Sequence, residues 1–252
     1  MRDFTTKTYI SLIESIKNAG YLFQTIEEFL EDPAEKVVVL RHDSDIWPKN
    51  DLILAKIENK YAINATYYFR IPDTFNLDII TKVRDLGHEI GYHYEDLANA
   101  HGDYTKAIAE FKQNLEIIRK VYPVKTVVMH GRPLSKWDSR KLWDKYSLKE
   151  FGLIGEPYLS IDYNSVFYLT DNGSRWDGER MSIRDTVNSD FSFSIRTTFQ
   201  LIEAFNTGKL PNRIIINSHA ARWNDNLGVW IYRYFLQKAK NFAKYILKVL
   251  FH

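Results

Sequence analysis

The chain has 252 residues, 45% hydrophobic and 26% charged, the balance of an ordinary soluble globule of one large domain or two small ones. Its net charge of +2 argues against the concentrated basic surface that nucleic acid requires, so no nucleic-acid partner is expected. Cysteine is absent, which excludes disulfides and thiolate metal sites and leaves only nitrogen and oxygen to hold any metal.

The first 21 residues mix acidic side chains with a helical apolar spacing in place of the continuous apolar run of a signal peptide. No apolar stretch is long enough to span a bilayer, and the expectation is a cytoplasmic protein. Residues 1–35 are expected to be a helical segment packed on the domain that follows. KVVVL at 36–40 predicts a buried strand, with a helix near 49–60. INATYYFRI at 63–71 predicts a second strand, with a helix near 76–86. HEIGYH at 88–93 is a third, short strand. The helix expected over 103–121 carries Ala107, Ile108, Phe111, Leu115 and Ile118 at helical spacing. TVVMHG at 126–131 is a fourth strand, FGLIGEPY and VFYLTD are later candidates, and RIIINSHA at 213–220 closes the series. Alternating strands and helices predict one α/β domain with a parallel sheet inside and helices outside, built over 36–225 as a distorted (β/α) barrel. A doubly wound open sheet is the alternative. Residues 226–252 predict a C-terminal basic amphipathic helix, with Arg233, Lys238, Lys240, Lys244 and Lys248 among aromatic and aliphatic residues and no acidic residue. Such a helix either lies on an anionic membrane, through 229–252, or packs on the barrel with a solvated basic edge.

In both folds function gathers at the C-terminal ends of the strands. His42, His93, His130 and His219 all end or follow an apolar run. In RHDSD at 41–45, Asp43 and Asp45 are two apart, so an extended chain points both the same way. Such a pair suits a metal ligand plus a general base; either Asp alone could be a turn or helix cap. His93 ends its strand and is a ligand candidate, whereas His88 begins it and suits a structural hydrogen bond. Glu95 and Asp96 offer further oxygens or a cap. In MHGRP, His130 is followed by Arg132, which is placed to pair with a catalytic carboxylate, to hold an anionic substrate group, or to form a surface ion pair. His219 is placed to exchange a proton with a reacting group, or to be a bonded core histidine. The loop at 170–178 offers Asp171, Arg175 and Trp176 as a sugar-contacting set, with Arg222 on the rim, although most such loops are solvated turns.

Four of these segments together resemble the NodB-type polysaccharide deacetylases, over roughly 36–223. RHDSD resembles that family's Asp-x-Asp element, which implies Asp43 as base and Asp45 as metal ligand. GHEIGYH resembles the segment whose last histidine binds the metal, which implies His93 in that role. GRP implies Arg132 as the residue orienting the base, and the late histidine implies His219 as general acid. The resemblance implies a divalent metal, zinc by preference, and a hydrolase that removes an N-acetyl group from a sugar. The family's second metal histidine lies four residues after the first, where this chain has Leu97. His130 is the expected replacement, with Glu95, Asp96 and His101 as alternatives. The RHD and late SH-x-x-RW elements resemble a branch linked to surface-polysaccharide and O-antigen synthesis. The expected partner is therefore an N-acetylated sugar, nucleotide sugar or lipid-linked glycan. The competing expectation is a catalytically degenerate carbohydrate-binding or scaffold protein on the same fold.

Overall fold

The computed structural model describes all residues except 1, 133, 134, 178–181, 183 and 252, and the side chains of 240 and 242–251. The elements are α1 (Thr6–Asn18), β1 (Leu22–Gln24), α2 (Ile26–Glu31), β2 (Val37–Ser44), α3 (Pro48–Lys60), β3 (Thr66–Phe69), α4 (Leu77–Asp85), β4 (Glu89–Tyr94), α5 (Asp96–Asn99), α6 (Tyr104–Arg119), β5 (Val127–Met129), α7 (Pro157–Ser160), β6 (Phe167–Thr170), α8 (Thr198–Asn206), β7 (Arg213–Ser218) and α9 (Leu227–Phe251).

The seven strands form one parallel sheet in the order β5-β4-β3-β2-β7-β6, with β1 added to β2. β1 and β3 share one edge of β2 in succession: β1 pairs with Val37–Val39 and β3 with Arg41–Ser44, while β7 holds the other edge. The result is an open half-barrel of parallel strands wrapped by helices. Among the described residues no helix is long and apolar enough to cross a membrane.

Three differences from the sequence expectations stand out. β2 runs on through Arg41, His42, Asp43 and Ser44, all buried, so Asp43 lies in the strand and not past it. The stretch FGLIGEPY contributes only a bridge, Gly155 to Thr126, before entering α7. The first strand, β1, falls in the segment that reads as helical.

Strand alternation then sorts the side chains onto two faces. Val38, Leu40, Tyr67, Phe69, Ile90, Tyr92, Tyr94, Ile214 and Ile216 join the large core between the sheet and its outer helices. Val37, Val39, Tyr68, Val128, Tyr168 and Ile215 face the concave side and close it together with Ile26 and Phe29 of α2. Gly91 is required on this inner face. A Cβ there would lie 2.2 Å from the Tyr68 ring and 2.9 Å from the Thr126 carbonyl oxygen.

His42 has the opposite parity to Arg41 and Asp43 and therefore points into the helix layer. There its Nε2 meets Glu58 Oε1 at 2.7 Å and its Nδ1 meets the Ser218 carbonyl at 3.2 Å. Tyr67 donates to Glu58 Oε2 at 2.7 Å, and Tyr9 also donates to Glu58. Burial opposes the charge on both partners, but their mutual attraction wins: Glu58 is held down to about 2 and His42 is raised. This pair belongs to the scaffold. His88 likewise bonds within it, to the Ala55 carbonyl at 3.0 Å and the Ala65 N–H at 3.1 Å.

Candidate active site

Above the filled bottom of the half-barrel, the inward positions turn polar. Asp43 is 4% exposed. Arg41, two residues earlier on the same face, donates Nε to Oδ1 at 2.8 Å and Nη2 to Oδ2 at 2.7 Å, a two-bond fork. Asn217, paired in register with Arg41, adds Nδ2 to Oδ2 at 3.0 Å. Burial pushes the Asp43 carboxyl up, but the Arg41 charge, the His93 charge and the Arg41 hydrogen bonds together outweigh it, and the group is held down to about 2. Asp43 is thus an ionised, oriented carboxylate.

Asp45, His93 and His130 form the only group of three His, Asp or Glu residues, among those described, whose ligating atoms all lie within 4.8 Å of one another. His93 Nε2 is 3.4 Å and His130 Nε2 is 3.5 Å from Asp45 Oδ1. The opposite ring nitrogens fix the tautomers. His93 Nδ1 lies 3.0 Å from the Val128 carbonyl and His130 Nδ1 lies 2.8 Å from Glu95 Oε2. Both partners accept only, so each Nδ1 carries the hydrogen, and a neutral ring turns a bare lone pair at Nε2 toward Asp45. Asp45 Oδ1 is itself buried with no hydrogen-bond partner. Three electron-rich atoms therefore face one another with no hydrogen between them. Positive charge at their centre removes that repulsion. Burial pushes the Asp45 carboxyl up, but a hydrogen bond from His93 and then the charges of His219, His130 and His93, when those rings are protonated, hold it well below the usual range; with the rings neutral, a divalent ion meets all three atoms at once. One carboxylate oxygen and two imidazole nitrogens, each imidazole tied behind by a carbonyl or carboxylate, are the donor set and supporting shell of a zinc-like site.

His219 follows β7 and approaches from the other side, its Nε2 3.6 Å from Asp45 Oδ2. Its Nδ1 lies 2.7 Å from Asp171 Oδ1, and its backbone N–H donates to Asp171 Oδ2 at 3.0 Å. Arg222 also donates to Asp171 Oδ1. Burial raises the Asp171 carboxyl, but Arg222 and His219 lower it below its ordinary range.

The structure thus brings Asp43, Asp45, His93, His130 and His219 together and places the other expected residues elsewhere. Arg132 is not joined to Asp43 by any bond or ion pair among the described residues. Its Nη1 donates to Asn99 Oδ1 at 2.5 Å and its Nε lies 3.7 Å from Glu95, behind His130. Arg41 holds Asp43 instead, because it shares its strand and face. Asp171, expected to contact sugar, is fully buried and its oxygens are taken by His219 and Arg222, so it orients the histidine. Trp176, expected to offer a ring face, is 1% exposed, donates Nε1 to Thr198 at 3.0 Å and packs on Phe4 and Trp223. Arg175 forks onto Asp177, and Arg222 is committed to Asp171. Glu95 and Asp96 do not join the cluster: Glu95 accepts from Arg70 at 2.6 Å and backs His130, while Asp96 points into the core against Tyr92 and Asn114. His101 stands on the surface, and Leu97 is fully buried core. Arg41 and Asn217 escape a reading based on apolar runs, yet each stands two residues before a reactive one, and strand alternation alone would have found them.

Fold and site together define a parallel α/β half-barrel with one polar centre at the C-terminal strand ends, able to hold a divalent ion between an ionised carboxylate and an oriented histidine. No family model and no curated protein matches the chain. Among solved structures it is similar to a CE4 esterase from Streptococcus mutans, at 14% identity over 86% of this chain and 85% of that one, with a TM-score of 0.48. It is similar to the catalytic domain of a peptidoglycan N-acetylglucosamine deacetylase from Eubacterium rectale, at 16% identity over 82% and 86%, with a TM-score of 0.49. It is also similar to a CE4 family pseudoenzyme from Bacillus anthracis, at 12% identity over 83% and 63%, with a TM-score of 0.44. The roles of individual residues rest on the geometry above.

Proposed function

We propose that the chain is a metal-dependent hydrolase that removes an N-acetyl group from a sugar or glycan precursor in surface-polysaccharide synthesis. The observation that carries this reading is the convergence of Asp45, His93 and His130 on one point, with Asp43 and His219 flanking it. Asp45, His93 and His130 would hold the ion, zinc by preference. When bound, a divalent ion polarises an amide carbonyl and makes water acidic enough to attack at neutral pH. Asp43, kept ionised by Arg41, takes the proton of the attacking water. His219, its ring fixed by Asp171, delivers a proton to the departing nitrogen, so the C–N bond breaks to acetate and a free amino sugar. Arg41, Asn217 and Asp171 position these two groups and do not touch substrate.

The decisive experiment loads metal-stripped protein with one equivalent of zinc and follows acetate release from N-acetylated saccharides, a nucleotide-linked sugar and a lipid-linked sugar. Wild type should bind close to one zinc and release acetate; Asp45→Ala should lose both. Zinc binding without acetate release from any of the three classes would leave the degenerate carbohydrate-binding reading in its place. In this reading the enzyme meets its substrate in the cytoplasm, at the inner membrane surface when the sugar is lipid-linked. Ile231, Tyr232, Phe235 and Leu236 of α9 are exposed and support contact with a membrane; of the five basic residues in that expectation, Lys240, Lys244 and Lys248 lie outside the described side chains. Liposome flotation with and without residues 237–252 tests it, and equal partitioning of both forms rejects it.

A further inference from the structure

We infer that the cleft between the β6 loop and α9, beside His219, is a phosphate site that takes the phosphate or diphosphate of a glycosyl phosphate. The cleft has a volume of about 350 Å³ and is lined by Arg175, Arg196, Arg222, Arg233 and Lys238, with Asp3 the one carboxylate in its wall among the described residues. Most of these charges have a counter-ion. Asp177 faces both Arg175 and Arg196, Asp171 holds Arg222, and the Asp3 carboxylate is spent on the backbone N–H groups of Phe4 and Thr198.

Arg233 has none. Its Nη1 is buried without a hydrogen-bond partner, and no ion pair reaches its guanidinium among the described residues. The guanidinium lies over the Trp47 ring, 4.7 Å from its centroid. Burial, and then repulsion from Arg222, pushes its pKa down to about 10. A half-buried cation whose Nη1 is shut off from water with no partner, and with another cation beside it, is costly unless something anionic completes it. Lys238, on the exposed side of the same cleft, also lacks an acidic partner among the described residues; its Nζ rests 5.4 Å from the Tyr234 ring.

The walls are preformed. Asn241 donates to the Gly173 carbonyl at 3.0 Å, and Gln237 donates to Asn241 at 2.8 Å, which ties α9 to the β6 loop. Trp230 donates to the Asp3 carbonyl at 2.7 Å and stacks on Tyr234 with centroids 5.4 Å apart. Arg222 joins cleft and reaction centre, because it bonds the same Asp171 oxygen that holds His219. An anion on Arg222 and Arg233 is therefore one side chain away from the histidine assigned to the leaving nitrogen. A planar guanidinium pair matches phosphate oxygens two at a time. That the phosphate carries an N-acetylated sugar rests on the deacetylase reading; that the cleft binds phosphate does not.

The test is calorimetric titration of metal-free protein with inorganic pyrophosphate, uridine diphosphate N-acetylglucosamine and farnesyl diphosphate, at low and high salt. Metal-free protein is essential because pyrophosphate chelates divalent ions. Pyrophosphate should bind wild type, weaken with salt, and lose at least tenfold in affinity in both Arg233→Gln and the surface variant Lys238→Gln. Each variant should still release acetate from an uncharged N-acetylated saccharide at the wild-type rate. Tighter binding of the nucleotide or of the prenyl diphosphate, dependent on Arg233, identifies the carrier. No binding of any of the three, or binding that both variants leave unchanged, overturns the inference. Acetate release without diphosphate binding sinks this site and spares the deacetylase reading; Arg233-dependent binding without acetate release from any substrate does the reverse.

Discussion

Replacing Arg41 with methionine removes a fully buried guanidinium while nearly filling its space, and leaves Asp43 behind as a buried carboxylate. Asp43 keeps one bond, from Asn217 at 3.0 Å, and the His93 ring at 3.9 Å. Breaking a buried ion pair from one side costs about 3–5 kcal/mol. The carboxyl gives a second route to the magnitude. It is held down to about 2 against an ordinary value of 3.8, and a displacement of that size is roughly 2–3 kcal/mol of folding stability. The sign follows from the depressed value: this contribution is complete above pH 4 and is lost as pH falls toward 2. In Arg41→Met the carboxyl rises instead, so the deficit is largest at neutral pH and shrinks as acid protonates Asp43. Urea unfolding of metal-free protein, followed by tryptophan fluorescence at pH 7 and pH 5, should show this. The expected loss at pH 7 is about 3–5 kcal/mol, equivalent to roughly 6–20 °C in Tm for a chain of this size. Arg41→Lys keeps the charge but not the fork and should fall between the two. Arg41→Met combined with Asp43→Asn should recover most of the loss, since no charge is then stranded. A loss below about 1 kcal/mol at pH 7, or a double variant no better than the single, would refute the claim that Arg41 is what keeps Asp43 ionised.

Asp171→Asn should lower kcat for acetate release by on the order of 10²-fold or more, with KM and zinc affinity little changed, because it disturbs the ring of His219 and not the ligand cluster; equal losses in zinc affinity would contradict that division. Glu95→Gln should weaken zinc by about 10–100-fold in chelator competition, since Glu95 fixes His130 from behind. Burial pushes Asp96 up to about 7, so the unfolded chain releases its proton first, and stability falls as pH rises from about 4 to about 7. Asp96→Asn, which keeps an acceptor for Tyr92 and Asn114, should therefore gain on wild type by a few kcal/mol across that window and run parallel to it above; parallel curves throughout would exclude a buried neutral Asp96. Gly91→Ala drives a methyl group against the Tyr68 ring and the Thr126 carbonyl and should cost at least about 1–3 kcal/mol in urea unfolding.

How far the sequence revealed this site depends on what kind of neighbour each residue needs. His93, His130 and His219 were legible because each sits at the end of an apolar run, and a parallel sheet carries all such ends to one rim. The β2 strand runs four residues past the apolar run that marks it in the sequence. Its last four residues are charged or polar yet buried, which is possible only because neighbours supply partners: Asn217 stands beside Arg41 by strand register and bonds Asp43, and Ser44 bonds Asp51. Sequence alone does not show which strands lie side by side, so an Arg in a strand reads as the strand's end. The resemblance of GRP implies Arg132 as the partner of Asp43, whereas the fold gives that place to Arg41, which shares the strand and face of Asp43. The loop after β6 failed for a different reason. Asp171, Arg175 and Trp176 have the chemistry of a sugar contact, but each is consumed by a partner distant in sequence or by its own turn: His219 and Arg222 for Asp171, Asp177 for Arg175, Phe4 and Trp223 for Trp176. Periodicity says which way a strand residue points, whereas a loop residue has no such rule. What survives that accounting is Arg233, a residue the sequence offered only as one charge in a basic helix. It acquires meaning because the fold buries its Nη1 and, among the described residues, supplies it no hydrogen-bond or ion-pair partner.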